Sequence, residues 1–396
     1  MTSPLSGRAL LLLLAIVLVA LNLRPALSSL APVLAAVRAD TGLSGAAAGL
    51  LTTLPVLCLG LFAPAAPRLA ARYGLERVIL LVLLLLAGGI ALRSLHGTTG
   101  LFAGTLIAGA AIGIIGVLLP GLVKREFADR AATMTGVYTM ALCLGAALAA
   151  GATVPLQQLF DGRWQPALAW WALPALVAAA VWWPWQRAAA APARGDHDGH
   201  AGRLWRDRLA WQVTLFMGLQ SSLAYCVFGW LPSILQERGI TPLDSGLYLS
   251  GSVMLQVVSS LAAPWLAGFF RDQRAVIALM LSLALCGLLG TLYAPLDSLW
   301  LWMILLGLGQ GGGFAMALAL IVLRSPTPAV AASLSGMVQG VGYTLASLGP
   351  LLLGVLHEHF HSWAPTGVLF AAIALAAIAF GVLAGRDLHV LQEKTP

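Results

Sequence analysis

An all-α polytopic membrane protein, with twelve transmembrane helices in two pseudo-symmetric six-helix halves, is the fold class that the sequence predicts. Three observations predict it. Apolar runs of bilayer length recur along the whole chain, lysine and arginine alternate from one side of those runs to the other, and segments of the first half return in the second. With 60% hydrophobic and only 9% charged residues, the chain lies far from soluble globular proteins, in which about a quarter of residues are charged.

A hydrocarbon core about 30 Å thick takes about 20 helical residues to cross. Runs of that size cover 9–36, 44–69, 77–95, 100–122, 131–155, 165–186, 209–235, 245–270, 275–295, 298–323, 329–356 and 363–385. Met1 to Gly7 is too short and uncharged for a signal leader, so the first run is expected to remain as span 1. Span 2 runs into Ala65-Ala66-Pro67-Arg68-Leu69-Ala70, span 4 carries Gly109, Gly113 and Gly116, and span 5 opens with Thr133-Met134-Thr135-Gly136. Span 6 is framed by Trp164, Trp170, Trp171, Trp182, Trp183 and Trp185, in the manner of interfacial belts.

The polar stretch 187–208, with Arg194, Asp196, His197, Asp198, His200 and Arg203, then divides the spans six and six and reads as a flexible cytoplasmic linker. The expected organisation is a six-helix bundle over 1–186, the linker, and a second bundle over 209–396. Beyond the linker the first half returns. Ala262-Ala263-Pro264-Trp265-Leu266-Ala267 follows span 8 with Arg274 at the offset of Arg77, Ser333-Leu334-Ser335-Gly336 opens span 11, and span 10 carries Gly307, Gly309, Gly311, Gly312 and Gly313. Glycines at such spacing let helix backbones approach closely. A repeated pair of six-helix halves describes a secondary transporter, whose halves rock about a midplane site.

Placing the N-terminus inside puts seventeen lysines and arginines on the cytoplasmic side and only Arg38, Arg93, Arg163 and Arg238 outside. This bias predicts both termini cytoplasmic and accounts for the net charge of +7 without a nucleic-acid patch. Cys58, Cys143, Cys226 and Cys286 sit singly within spans and read as packing thiols.

Arg24 stands alone in span 1, the one charged side chain the sequence places at membrane depth. An arginine at the centre of a bilayer helix costs roughly 2.5–3.5 kcal/mol, so it is expected to face a polar cavity or an anion; bonding to carbonyls freed by Pro25 is the alternative. Polar groups near the middle of other spans complete a candidate substrate site of Asn22, Ser28, Tyr138, Gln220, Tyr225, Gln310, Gln339 and Tyr343. Ser28 is expected to share a helix face with Arg24, as Tyr225 does with Ser221 and Tyr343 with Gln339, whereas Asn22 points elsewhere unless Pro25 bends the helix. Arg24 would fork its donors onto an anionic oxygen or nitro group, tyrosines would stack, and glutamines would orient the solute. Gln256, Thr52 and Thr53 read more as interhelical glue. None of the fifteen acidic residues falls near a helix centre, so a coupled proton would travel with the substrate, or an anionic substrate would neutralise Arg24.

The loop Leu69-Ala70-Ala71-Arg72-Tyr73-Gly74-Leu75-Glu76-Arg77 resembles the signature between spans 2 and 3 of the major facilitator superfamily, with Ala71 where that signature has aspartate. The layout resembles the superfamily over its full length, which implies the major facilitator fold and a gating role for Arg72, Gly74, Arg77 and Arg274. Asn22-Leu23-Arg24-Pro25-Ala26-Leu27-Ser28-Ser29-Leu30-Ala31-Pro32 resembles the cyanate and 2-nitroimidazole transporter family. Leu118-Leu119-Pro120 followed by Lys124-Arg125-Glu126-Phe127, Trp230-Leu231-Pro232 and Gln339-Gly340-Val341-Gly342-Tyr343 are similar to it too. The resemblance implies movement of a small anionic or small polar aromatic solute across a bacterial inner membrane.

The expected partners are that solute, the lipid bilayer and, for coupling, protons; no cofactor, resident metal or nucleic acid is expected, and the carrier is expected to be a monomer. His357-Glu358-His359-Phe360-His361 has metal-binding residue types but reads as a solvated loop, as do the linker histidines. Gly307-Leu308-Gly309-Gln310-Gly311-Gly312 fits a dinucleotide pattern, yet it lies inside a span. Gly42-Leu43-Ser44-Gly45 has a serine but no base beside it. A membrane enzyme or receptor is therefore a distant alternative, and a proton-coupled multidrug or nitroimidazole exporter the nearer one. Gly145 to Pro155 departs from the Gly-Pro signature of such exporters.

Overall fold

Why twelve crossings form is visible in the helices themselves. The computed structural model describes residues 7–95, 97–127, 131–188 and 202–391. Among them twelve helices are long and apolar enough to span: α1 (Gly7–Thr41), α2 (Gly45–Phe62), α3 (Leu75–Leu92), α4 (Gly97–Val123), α5 (Val137–Leu159), α6 (Trp164–Gln186), α7 (Arg208–Glu237), α8 (Pro242–Ala267), α9 (Arg274–Tyr293), α10 (Leu296–Leu323), α11 (Ser333–Phe360) and α12 (Thr366–Ala384). Starts are capped by side chains where the sequence supplies them, with Ser44 accepting from Ala47 N–H, Asp207 from Leu209 and Ala210, and Thr241 from Asp244.

The halves repeat in three dimensions. In the first, α4 packs on α2 and α3, and α1 on α5 and α6; in the second, α10 packs on α8 and α9, and α7 on α11 and α12. The glycine series explain the closest of these contacts: a Cβ on Gly109 would come within 2.7 Å of Pro55 Cα in α2, and Gly307 and Gly311 seat against α8 in the same way. The halves meet where α2 crosses α11 and where α5 crosses α8. At the end away from the N-terminus these crossings are closed. A Cβ on Gly354 of α11 would stand 2.7 Å from Gly45 O and 2.8 Å from Gly49 Cα, and Glu358 accepts a 2.6 Å bond from Ala46 N–H.

Several expectations change. Span 2 stops at Phe62, because Pro64 cannot continue the ladder, and Ala65–Tyr73 forms a separate, mostly exposed helix. Of the tryptophans framing α6, Trp164, Trp171 and Trp182 are buried in the first half and donate to Asp40, Thr153 and Glu76 O, while Trp170 and Trp183 are exposed. The histidine cluster ends α11 instead of forming a loop; His357 is buried against Trp363 and contacts Glu237 at 2.7 Å. Among the described residues no group of three or more possible metal ligands forms. The linker residues Arg194, Asp196, His197, Asp198 and His200 lie outside the described residues, as does Arg130.

Candidate functional site

The first helix is built to break. Pro25 has no N–H to give and its ring displaces the carbonyl of Leu21, and Pro32 does the same to Ser28. The result is a helix over Gly7–Leu21, a turn, one isolated helical turn over Pro25–Ser28, a turn of tighter helix over Ala31–Val33, and a closing helix over Leu34–Thr41. Gly145 of α5 gives the displaced Leu21 carbonyl its space, since any Cβ there would collide with it. Arg24 is the residue that caps the isolated turn: its carbonyl accepts from Leu27 and Ser28 N–H at 3.0 and 3.1 Å.

From that cap the guanidinium enters a cavity of about 30 Å³ between the halves, lined by Arg24, Thr139, Cys143, Tyr225, Phe228, Gln256, Gln310 and Phe314 among others. Its carbon lies 5.4 Å from the Phe228 ring centre and 6.0 Å from that of Phe314, both within cation–π range. Among the described residues no carboxylate lines this cavity and Arg24 has no ion-pair partner. Opposite it, Gln256 donates to Gln310 Oε1 at 3.2 Å and Gln310 donates to Leu223 O at 3.4 Å, so both amides have fixed orientations. Tyr225 packs edge-on to Tyr343 at 6.1 Å, and Tyr138, Tyr225 and Tyr343 all stand within electrostatic range of Arg24.

Other candidates sit elsewhere. Ser28 is fully buried and donates to Arg24 O and, at 3.0 Å, to Ala146 O, tying α1 to α5. Asn22 donates to Leu18 O and Pro174 O, at 2.8 and 3.2 Å. Gln220 turns to Ser221 Oγ at 2.7 Å. Gln339 donates to Ser335 and faces a separate cleft of about 1160 Å³ between α2, α4 and α11. At the loop end, Arg72 is exposed over the Tyr73 ring, Gly74 turns with φ of +84°, Arg77 is exposed, and Arg274 pairs with Asp272 at 2.7 Å. Asp272 is held below the ordinary carboxylate range by the hydrogen bond from Arg274.

Four features of the structure are not legible in the sequence. Phe228 and Phe314 look like packing residues in a sequence, and Gln256 like glue, yet all three line the cavity. Glu76 is buried at the start of α3 and pairs with Arg125, so an acid does stand beside the basic loop although Ala71 is not one. Arg93, assigned to the outside, is buried and directs its guanidinium onto Ala26 O and Ser29 Oγ; Arg24 is therefore not alone inside the bundle. Of the cysteines, Cys143 lines the cavity and Cys286 is exposed, so only Cys58 and Cys226 are packing thiols.

Residues 10–347 match the family model of the Major Facilitator Superfamily. The chain is 37% identical over 393 residues to the 2-nitroimidazole transporter of Escherichia coli (strain K12), covering 98% of this chain and 99% of the relative. It is 33% identical over 379 residues to the cyanate transport protein CynX of the same organism, covering 93% and 98%. Among solved structures, a bacterial homolog of the human lysosomal transporter Spinster, inward-facing and unoccupied, superposes with a TM-score of 0.76 at 14% identity over 97% of this chain and 98% of that one.

Proposed function

The chain belongs to the major facilitator superfamily and is a multi-pass transporter of a bacterial membrane, and on that premise we propose that it carries a small planar anion or small nitroaromatic solute by alternating access, with Arg24 as charge partner. The observation that carries this reading is a guanidinium with no ion-pair partner among the described residues, pointing into a cavity between the two halves that no described carboxylate lines. A desolvated cation there is tolerated because Phe228 and Phe314 present their π faces to it, and its charge is compensated when an anion pairs with it. The two solutes in the relatives' names, a nitro heteroaromatic and a cyanate ion, both offer delocalised acceptors that a guanidinium fork can meet. Gln256 and Gln310 would read the solute's remaining polar edge.

In this reading the membrane is the bacterial inner membrane and both termini are cytoplasmic, by the distribution of basic residues. The carrier acts as a monomer of two rocking units, 1–186 and 209–396, joined by the linker over 187–208. Contacts of Gly354 with Gly45 and Gly49 close the periplasmic side, and the loop of Arg72, Gly74 and Arg77 with Arg274 opposite gates the cytoplasmic side. With no acid among the described residues that line the cavity, coupling runs through the substrate's own charge or its own proton.

Thermal stabilisation of the purified carrier by a panel of small anions and neutral nitroaromatics tests the reading. Anions are expected to stabilise wild type, to bind Arg24→Lys more weakly because ammonium lacks the fork, and to leave Arg24→Gln unshifted, a loss of about 2–5 kcal/mol in binding. Equal stabilisation of Arg24→Gln by anions would overturn it.

A further inference from the structure

A single helical turn does not hold its own shape. Fixing one turn restricts several dihedrals for very few hydrogen bonds, so a four-residue helix is unstable without outside contacts. The turn Pro25–Ser28, which presents Arg24, is that short, and it is cut off from the helix on either side by the breaks at Asn22–Arg24 and Ser29–Leu30. Its position must be imposed by neighbours. On one side Ser28 Oγ reaches Ala146 O of α5. On the other stands Arg93.

Arg93 ends α3, with its N–H bonded to Gly89 O at 3.1 Å, and is only 2% exposed. Its backbone is fixed by α4, because a Cβ on Gly104 would lie 2.8 Å from Arg93 Cα. From this anchor Nη1 donates to Ala26 O at 2.9 Å and Nη2 donates to Ser29 Oγ at 2.9 Å, while Nε is buried with no partner among the described residues. One planar fork thus spans two acceptors three residues apart across the end of the turn, where the helix ladder stops. The charge also sits at the carbonyl end of the turn, where a cation is favoured.

We infer that Arg93 is a positioning residue for transport: its guanidinium clamps the isolated turn Pro25–Ser28 and so aims Arg24 into the cavity. This rests on the reading of Arg24 as the charge partner of the solute, and the test separates the two. Cys143 lines the same cavity and can report the local potential. In the full-length carrier with Cys58, Cys226 and Cys286 replaced by alanine, the rates of Cys143 modification by an anionic and a cationic methanethiosulfonate are compared. A fixed cation raises the local anion concentration, so Arg24→Gln is expected to lower the anionic-to-cationic rate ratio roughly tenfold or more. Arg93→Gln and Arg93→Lys are expected to lower it comparably, and Ser29→Ala, which removes one acceptor, to lower it in part.

A wild-type ratio in folded Arg93→Gln, with only yield or melting temperature reduced, would overturn the inference and leave the Arg24 reading intact. An unchanged ratio in Arg24→Gln would overturn that reading itself. Should neither Arg93 variant fold, Ser29→Ala decides: a ratio lowered from wild type supports the clamp and an unchanged one contradicts it.

Discussion

The two halves hold equivalent positions with opposite chemistry. Where the first half turns into α3, Glu76 is buried, 7% exposed at its side chain, and pairs with an Arg125 that is 42% exposed. At the repeat position of the second half stands Gln273, whose amide oxygen accepts from Arg324. Here it is the cation that is buried, and it is shared with Ala384 O at 3.0 Å and Gly385 O at 3.2 Å, at the carbonyl end of α12. The first latch encloses an anion and depends on one partner; the second encloses a cation and spreads it over the Gln273 amide, two backbone carbonyls and, at 3.8 Å, the exposed carboxylate of Asp387. The same division runs through the cavity: α1 brings the charge, whereas the second half brings the aromatic faces of Phe228 and Phe314 and the amides of Gln256 and Gln310. A repeat fixes where the groups stand, and each half then fills the positions with what its role requires.

This contrast can be broken most severely at Arg125. Arg125→Gln leaves Glu76 buried without its partner, with Glu76 Oε2 already unpaired. A loss of about 3 kcal/mol in stability is expected, readable as a fall in melting temperature and in folded yield. Glu76→Gln copies the second half into the first and is expected to cost less than about 1.5 kcal/mol; a loss as large as that of Arg125→Gln would mean that the ion pair itself, and not the avoidance of a buried unpaired charge, holds the latch. Next in size, Phe228→Leu and Phe314→Leu each remove one π face from Arg24, and each is expected to weaken anion binding by about 1 kcal/mol, measured by titration, with little change for neutral solutes.

The smallest effect belongs to the exposed pair Arg274 and Asp272. Because the folded pKa of Asp272 is depressed, its contribution is fully present above about pH 4 and fades only as pH falls through the lower folded value. Melting temperatures of Asp272→Asn and wild type are therefore expected to differ by little between pH 7 and 5, and that little difference to shrink only in stronger acid.

What the sequence made legible followed from free energies large enough to override detail. Apolar length set the twelve crossings, and the expense of a lone arginine at depth singled out Arg24. What it hid depended on how broken helices meet. Ser28 and Arg24 share a face only on a continuous helix, and Pro25 removes that premise. Arg93 sits at the end of an apolar run, and nothing in its own neighbourhood tells whether it reaches outward to water or inward to Ala26 and Ser29. One acceptor that draws it inward, the carbonyl of Ala26, is available because Pro25 and Pro32 interrupt a helix far away in sequence. Phe228 and Phe314 were hidden for a simpler reason: an aromatic facing a cation and one facing a core have the same pattern.

Whether Arg24 carries the solute's charge through the cycle is read out by solute counterflow in proteoliposomes. With wild type, Arg24→Lys and Arg24→Gln reconstituted at equal amounts of folded protein, exchange of small planar anions is expected to fall about a hundredfold or more in Arg24→Gln, the equivalent of roughly 3 kcal/mol, with partial activity in Arg24→Lys. Undiminished anion exchange by Arg24→Gln would make Arg24 a structural arginine and exclude it as the solute's charge partner.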